Sequence, residues 1–529
     1  MPEPLTTSVR RPTPEGIDAR ATGVSAARSA TMAQRAWAGT PLRRRVELLR
    51  QFRGLLAEHA ARLARASAQA RQRPPAEALT AEVIPLADAC RFLERCAGPV
   101  LTPRVLGRRG RPLWLNGVRS EIRHEPRGVV LIIAPSNYPL FIPGVQVLQA
   151  LVAGNAVLLK PGAGGSAAAH ALADLLHHAS FDHHLIHVLP ESPEAARGAY
   201  EGGVAKVFLT GSAPSGAAVL GELAPRLVPA TMELSGCDAV FIRADADLDL
   251  AVCCLCFGLR LNNGATCIAP RRIFVHRSMA TELEGRLATA LRGTTEAAPP
   301  LKLKPELHRV LADALAQGAH LLSGQLLITG DCLPPLVVAG ASTSMRLLHE
   351  DVFAPVMSLV TVDDDHEAIE MARQCPYALG ATIFSRDEFL ARELAERVNA
   401  GVVIINDVIV PSADPRVPFG GRQRSGFGVT RGAEGLLEMT IPKVVAVRRS
   451  RFLPHLDAPN GDDDALFRNY LLAAHGRSLA VRWRAAKALA RLGLNRWRAA
   501  RSRPPQPPNP AAAPFDSTAT GINTHPKTL

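Results

Sequence analysis

Two residues of this sequence are suited to covalent chemistry if a fold brings them together. Cys267 closes the run Asn262-Asn263-Gly264-Ala265-Thr266-Cys267, a Gly-containing loop that allows a substrate and backbone donors to come close. Its thiolate would be the nucleophile. Glu233 stands in Met232-Glu233-Leu234-Ser235-Gly236, at the end of an apolar strand, where a carboxylate can serve as a general base. A third segment, Phe208-Leu209-Thr210-Gly211-Ser212-Ala213-Pro214-Ser215-Gly216, reads as a strand, a Gly-bracketed turn and the start of a helix. Such a turn can present a helix N-terminus to a dinucleotide pyrophosphate. Taken singly, each has a plainer reading. A cysteine is most often a small buried hydrophobe, a lone glutamate a solvated or capping group, and a glycine pair a weak motif.

Order and combination change this. Pro126-Arg127-Gly128-Val129-Val130 leads to Ala134-Pro135-Ser136-Asn137-Tyr138-Pro139, and Ala153-Gly154-Asn155-Ala156-Val157 ends in Lys160-Pro161. The Thr210–Gly216 turn follows, then the Glu233–Gly236 and Cys267 pair. Last come Glu350-Asp351-Val352-Phe353-Ala354-Pro355, Pro418-Phe419-Gly420-Gly421 and Ser425-Gly426. With these blocks the chain resembles the aldehyde dehydrogenase superfamily from about residue 30 to residue 448. The resemblance implies NAD(P)-dependent oxidation of an aldehyde to a carboxylic acid, through a thiohemiacetal and an acyl-thioester on Cys267. It implies Asn137 and the Cys267 N–H as oxyanion donors and Glu233 as the base that activates the hydrolytic water. NAD or NADP would be held by Pro135, Lys160, Gly211, Ser212, Gly216, Asp351 and Phe353. No metal is implied. Relatives that pass the acyl group to coenzyme A typically lack the glutamate, so Glu233 favours release of a free acid. The rival readings are acyl-transferring or reductive use of the same site, and a catalytically weak scaffold that keeps the fold.

Several positions depart from the family pattern. Ser136 replaces the frequent Trp before the oxyanion Asn, and Ala265 the frequent Gln two residues before the nucleophile. Ala163 stands where NAD-preferring relatives often carry a Glu for the adenosine ribose. It removes both an acceptor and a charge that repels a 2′-phosphate. Asp351 is one methylene shorter than the family's ribose-binding Glu.

The elements that must position these residues are legible as pattern. Residues 26–99 are Ala-, Leu- and Arg-rich with helical spacing, whereas 1–25 are polar and read as flexible. From Gly128 to Leu234, apolar runs at Val129–Ile133, Ala156–Leu159, Leu185–Val188, Val207–Leu209 and Ala230–Met232 alternate with helix-length segments, the signature of a doubly wound parallel sheet. A second alternating region carries strand candidates at Ile273–Val275, Ser358–Val362, Ala381–Ile383 and Val402–Ile405. The expected fold is α/β and aldehyde-dehydrogenase-like. A Rossmann-type cofactor domain would come from 26–105 and 126–235, and an α/β catalytic domain from 236–440. An oligomerisation element would come from a β-hairpin at 106–125, turning at Asn116-Gly117, with the extended segment 441–451. A homodimer or homotetramer follows from the resemblance. Cys253-Cys254-Leu255-Cys256 lies in an apolar helical run and is expected to pack in the core.

The 529 residues are 47% hydrophobic and 21% charged, enough to bury a core, and no apolar run reaches the ~18 residues of a membrane-spanning helix. The nine cysteines lack zinc-type or disulfide-framework spacing, and the start lacks the apolar stretch of a secretory signal, so a reduced, cytoplasmic setting is expected. The net charge of +13 is concentrated at one end: Arg477–Arg503 holds nine Lys and Arg and no acid, which argues against reading the whole protein as nucleic-acid binding. A polar linker at 452–464 precedes a basic amphipathic helical extension at 465–503, and a Pro-rich disordered tail covers 504–529. In the extension Leu479, Trp483, Ala486, Ala490, Leu494 and Trp497 share one face, with Arg484, Lys487, Arg491 and Arg498 on another. Docking on the protein itself or a second subunit is the first expectation for this helix, an anionic membrane surface the second.

Overall fold

The computed structural model describes residues 14–69, 72–292, 305–322, 333–449, 453, 456, 461 and 463–501; the Pro-rich tail, most of the 452–464 linker and Cys332 lie outside the described residues. The first alternating region forms a six-stranded sheet in the order Gly426–Phe427, Ala230–Leu234, Lys206–Gly211, Val129–Ile133, Ala156–Lys160, Ile186–Val188. Every pairing is parallel except that of Gly426–Phe427. The strand order reverses beside Val129–Ile133, which opens a crevice outside the carboxyl ends of the strands, where doubly wound sheets bind ligands. The strands are short because they are buried on both faces, and the apolar runs that revealed them fill one core.

The second region forms a seven-stranded sheet, in the order His320–Leu321, Leu336–Ala339, Val356–Val362, Pro270–His276, Asp238–Ile242, Gly380–Phe384, Val402–Ile405, with only His320–Leu321 antiparallel. Separate apolar cores flank its two faces. The helix Gly432–Glu438 was expected within the catalytic region, yet Leu436 and Met439 are fully buried in the first core. Glu438 there pairs with Lys206 Nζ at 2.7 Å.

Three expectations need correction. The segment taken as flexible up to residue 25 is helical from Pro14, as part of Pro14–Ala38. It lies so close to the helix Pro193–Gly202 that a β-carbon on Gly198 would stand 2.0 Å from Arg20 O. Small residues permit that contact, and a polar, Ala-rich sequence does not advertise it. Second, Asn116-Gly117 is not a two-residue hairpin turn. Leu113–Leu115 is a 3-10 turn, and Arg104–Val105 pairs with Val118–Pro126 across the longer connection. Together with Thr440–Arg448 these make a three-stranded sheet. Third, the cysteine cluster is only partly core: Cys256 is buried and Cys253 is exposed.

Among the described residues, 110–118 and those from 448 to 501 group as a second compact unit. In it, the single helical extension is two helices, Asp463–His475 and Leu479–Arg501, broken at Gly476. The second folds back on the first through the face carrying buried Ala485. The apolar face expected to dock is left open, with Leu479 at 81% and Trp483 at 64% exposure. Among the described residues no helix is long and apolar enough to cross a membrane.

Candidate active site

Glu233 lies in the strand Ala230–Leu234, registered against Thr210 on one side and Gly426 on the other. Gly426 adopts φ +101, and a β-carbon there would stand 2.0 Å from Met232 O, so only glycine lets this strand close over the glutamate. Glu233 is buried. Its Oε2 accepts from Thr210 Oγ1 at 3.3 Å, and its Oε1 faces the Cys267 thiol, which donates across 3.7 Å.

The loop that carries Cys267 is held from several directions. Asn262 and Asn263 both take left-handed backbone, at φ 51 and 53. Asn262 Nδ2 donates to Asn137 O at 2.9 Å, and Asn137 Nδ2 donates to Ala265 O at 2.9 Å. The Tyr138 and Thr266 hydroxyls share a hydrogen bond of 2.7 Å, and buried Arg271 donates to Gly264 O and Ala354 O. Asn137 itself is positioned from beneath. The carboxylate of fully buried Glu82, paired with Arg73, accepts Leu140 N at 2.8 Å and Phe141 N at 3.0 Å, capping the helix Phe141–Ala153. Cys267 thus meets Glu233, and Asn137 is bonded to the loop two residues before the thiol.

A cavity of about 540 Å³ reaches Cys267 and Glu233. Its wall is chiefly apolar, with Pro85, Phe141, Ile142, Phe257, Leu261, Ile409, Val410 and Phe419, and with Arg260 and Arg431 among its charged members. Most of the other candidate residues lie at the carboxyl ends of the six-stranded sheet, whereas Asp351 and Phe353 precede Val356–Val362 of the seven-stranded sheet. Pro135 follows Val129–Ile133, Lys160 ends Ala156–Lys160, and Gly211 ends Lys206–Gly211. Ser212 caps the helix Ala213–Leu223, accepting Ser215 N at 3.3 Å, and Gly216 lies against Leu234. Asp351 Oδ1 accepts Phe353 N at 3.1 Å, and Phe353 is left-handed at φ 43.

A profile of the aldehyde dehydrogenase family matches residues 17–445. Among curated relatives, the 4,4′-diapolycopene aldehyde oxidase of a Methylomonas species is 30% identical over 431 residues, 78% of this chain and 79% of that protein. This chain belongs to the aldehyde dehydrogenase family. The Escherichia coli K12 succinate semialdehyde dehydrogenase [NAD(P)+] is 30% identical over 76% of this chain and 88% of its own length. Among solved structures, the NADP complex of NADP-dependent glyceraldehyde-3-phosphate dehydrogenase from Bacillus halodurans C-125 superposes with TM-score 0.74 at 28% identity, covering 81% of this chain and 91% of that one. The protein is an NAD(P)-dependent aldehyde dehydrogenase, an oxidoreductase that converts aldehydes to acids.

In this aldehyde dehydrogenase burial pushes the Cys267 thiol well above its ordinary range, and the neighbouring Glu233 and Asp238 push it further, while Arg431 opposes them. Burial also raises the Glu233 carboxyl, against Arg431 and the Thr210 hydroxyl. Half-buried Lys160 is lowered by burial and supported by Glu191. Sequence reasoning missed Glu82, Asn262, Tyr138, Arg271 and Arg431. Asn262 and Tyr138 lay inside motifs already noted, so the loop geometry was their only missing signal. Arg431 had none: Val429-Thr430-Arg431-Gly432 matches no pattern of chemistry.

Proposed function

We propose that this enzyme oxidises an extended apolar aldehyde to the free acid. The cavity leading to Cys267 carries this reading: its wall offers far more carbon than polar surface. The name of the Methylomonas relative supports it. Cys267 attacks the carbonyl carbon. Asn137, whose amide has a second N–H beyond the one given to Ala265 O, and the Cys267 N–H stabilise the oxyanion. The nicotinamide supplies a hydride acceptor when bound. Glu233 then takes a proton from the water that attacks the acyl-thioester, and the thiol is regenerated as the acid leaves. The donor set fits a dinucleotide. Lys160 ends the strand Ala156–Lys160 next to Val129–Ile133 and has Glu191 as a charge neighbour. We assign Pro135, Gly211, Ser212 and Gly216 to the same crevice, and Asp351 and Phe353 to the cofactor on the family resemblance.

Each buried CH₂ contributes about 0.8 kcal/mol, so kcat/KM should rise about fourfold per added carbon over a series of straight-chain aldehydes until the cavity is filled. A preference for succinate semialdehyde over aldehydes such as decanal would overturn the apolar reading.

Two exposed surfaces extend the proposal. Thr440–Arg448 presents Ile441, Val444 and Val447 to solvent, an edge suited to pairing with a second copy in a homodimer or homotetramer. In Leu479–Arg501 the exposed Leu479, Trp483 and Leu494, with arginines beside them, suit an anionic membrane surface in the cytoplasm, where an apolar aldehyde would also partition. In the same assay a chain ended after Arg451 should keep its rate on short aldehydes and lose salt-sensitive sedimentation with anionic vesicles. Sedimentation that survives the truncation would place binding elsewhere.

Cofactor discrimination should be weak. Ala163 is exposed and offers no acceptor to a ribose hydroxyl; such a bond is worth about 0.5–1.5 kcal/mol, or roughly threefold to tenfold. The structure does place a carboxylate nearby: Glu191 accepts Gly164 N at 2.9 Å and Ser166 N at 3.0 Å. Ala163→Glu should move the NAD/NADP ratio of kcat/KM towards NAD, and Glu191→Gln towards NADP. A wild-type preference for NAD of order a thousandfold would contradict the argument.

A further inference from the structure

The geometry points to Arg431 as a positioning residue whose guanidinium, on the wall of the cavity that Cys267 and Glu233 also line, favours the Cys267 thiolate over the thiol. This rests on Cys267 being the nucleophile. Three independent observations place Arg431 in that role.

The first is location. Arg431 lines the same cavity as Cys267 and Glu233, and both are charge neighbours of its guanidinium. The groups that act electrically on Cys267 come from every side: Glu233, Asp238, Arg271, Tyr138 and Arg431. Two are buried carboxylates that oppose thiolate formation. Arg271 is already committed to the carbonyls of Gly264 and Ala354. Of the two arginines on the cavity wall, Arg260 and Arg431, Arg431 is the one that acts on both Cys267 and Glu233.

The second is partnership. Among the described residues the Arg431 side chain makes one hydrogen bond, from Nη1 to Ser412 O at 2.5 Å. Its guanidinium lies over Phe419, 4.2 Å from the ring centroid, and 5.7 Å from that of Phe141. Among the described residues it has no salt bridge. A guanidinium has five N–H donors, and this one uses only one of them in a hydrogen bond among the described residues. A cation in a mainly apolar wall without an ion-pair partner is costly unless it serves a charge that forms there.

The third is backbone. Arg431 sits at φ 63, ψ 177, a region that glycine alone adopts readily. Its neighbours enforce the conformation: Thr430 N and Phe419 O are 2.8 Å apart in a bridge that also runs the other way, and Gly435 N donates to Arg431 O at 2.7 Å. The chain is bent so that the side chain enters the cavity and not solvent.

The sign follows directly. A nearby cation favours the thiolate over the thiol, so removing it raises the pH at which Cys267 ionises. The probe is iodoacetamide alkylation of the Cys267 peptide, followed by mass spectrometry across pH in the full chain without aldehyde; peptide-level detection separates it from exposed Cys253. Arg431→Leu should move the midpoint up by about one pH unit or more, a loss of about tenfold in thiolate at pH 7. The acid limb of kcat/KM should move with it. Arg431→Lys, which keeps the charge, should restore most of the shift. An unchanged midpoint in a folded Arg431→Leu protein, or the same shift in the Lys variant, would overturn the proposal. Arg431→Gln serves if the Leu variant does not fold. Should Cys267→Ala retain activity, the nucleophile assignment itself fails; an unmoved midpoint with an inactive Cys267→Ala refutes the role of Arg431 alone.

Discussion

Replacing Cys267 by alanine is expected to lower aldehyde oxidation by several powers of ten while leaving NAD(P) affinity within a few fold. The chemistry demands the first half. An aldehyde carbon gives up hydride readily only after a nucleophile has made it tetrahedral, and no other side chain among the described residues stands where Cys267 does, 3.7 Å from the base and on the cavity wall. The structure argues for the second half. The groups we assign to the cofactor, Lys160 and the Gly211–Gly216 turn, belong to the carboxyl ends of the six-stranded sheet, whereas Cys267 sits on a separate loop. That loop should survive the change, because the hydrogen bonds that hold it run through Asn262, Asn137, Tyr138 and Arg271, and the sulfur makes only the long contact to Glu233. Steady-state rates and a fluorescence titration with NADH check both halves. More than about a tenth of the wild-type rate would sink the assignment, since loss of a nucleophile that acts as part of a unit removes nearly all of its effect.

The sheet strands and the catalytic blocks were legible for one physical reason. A parallel strand buried on both faces must be a short apolar run, so Val129–Ile133 and Val402–Ile405 could be bounded to the residue. Active-site turns need Gly, Asn and Cys at fixed places, so Asn262–Cys267 stood out. What stayed hidden depends on partners far away in sequence. Nothing local to Glu82 shows that its carboxylate will cap a helix starting at Phe141. Nothing in Ser425-Gly426 shows that it will pair with the strand of Glu233, although the motif's glycine is explained once that pairing is seen. The C-terminal extension shows the opposite failure. Its helical spacing was readable, but two faces of Leu479–Arg501 are apolar, and the sequence could not say that the face holding Ala485 would pack while the face of Trp483 stayed open.

Exchanging Glu233 for glutamine should separate the two halves of the reaction. The neutral amide fills the same space and can still accept from Thr210 Oγ1, so the strand and its pairing with Gly426 should persist. Attack by Cys267 and hydride transfer precede the step that needs a base. The expected trace is therefore a burst of reduced cofactor near one equivalent per site, then a steady rate lower by roughly 10²- to 10⁴-fold, the usual worth of a general base. The wild-type deacylation rate should also fall as pH drops through a carboxyl pKa that burial has raised above the ordinary range. Below it Glu233 is protonated and cannot take a proton from water; the glutamine variant should lack that limb. The contact between the thiol and Glu233 Oε1 makes a second outcome informative. If the variant shows neither burst nor acyl-enzyme by mass spectrometry, Glu233 is needed earlier, as the acceptor of the Cys267 proton, and hydrolysis would then rely on a water activated by another group.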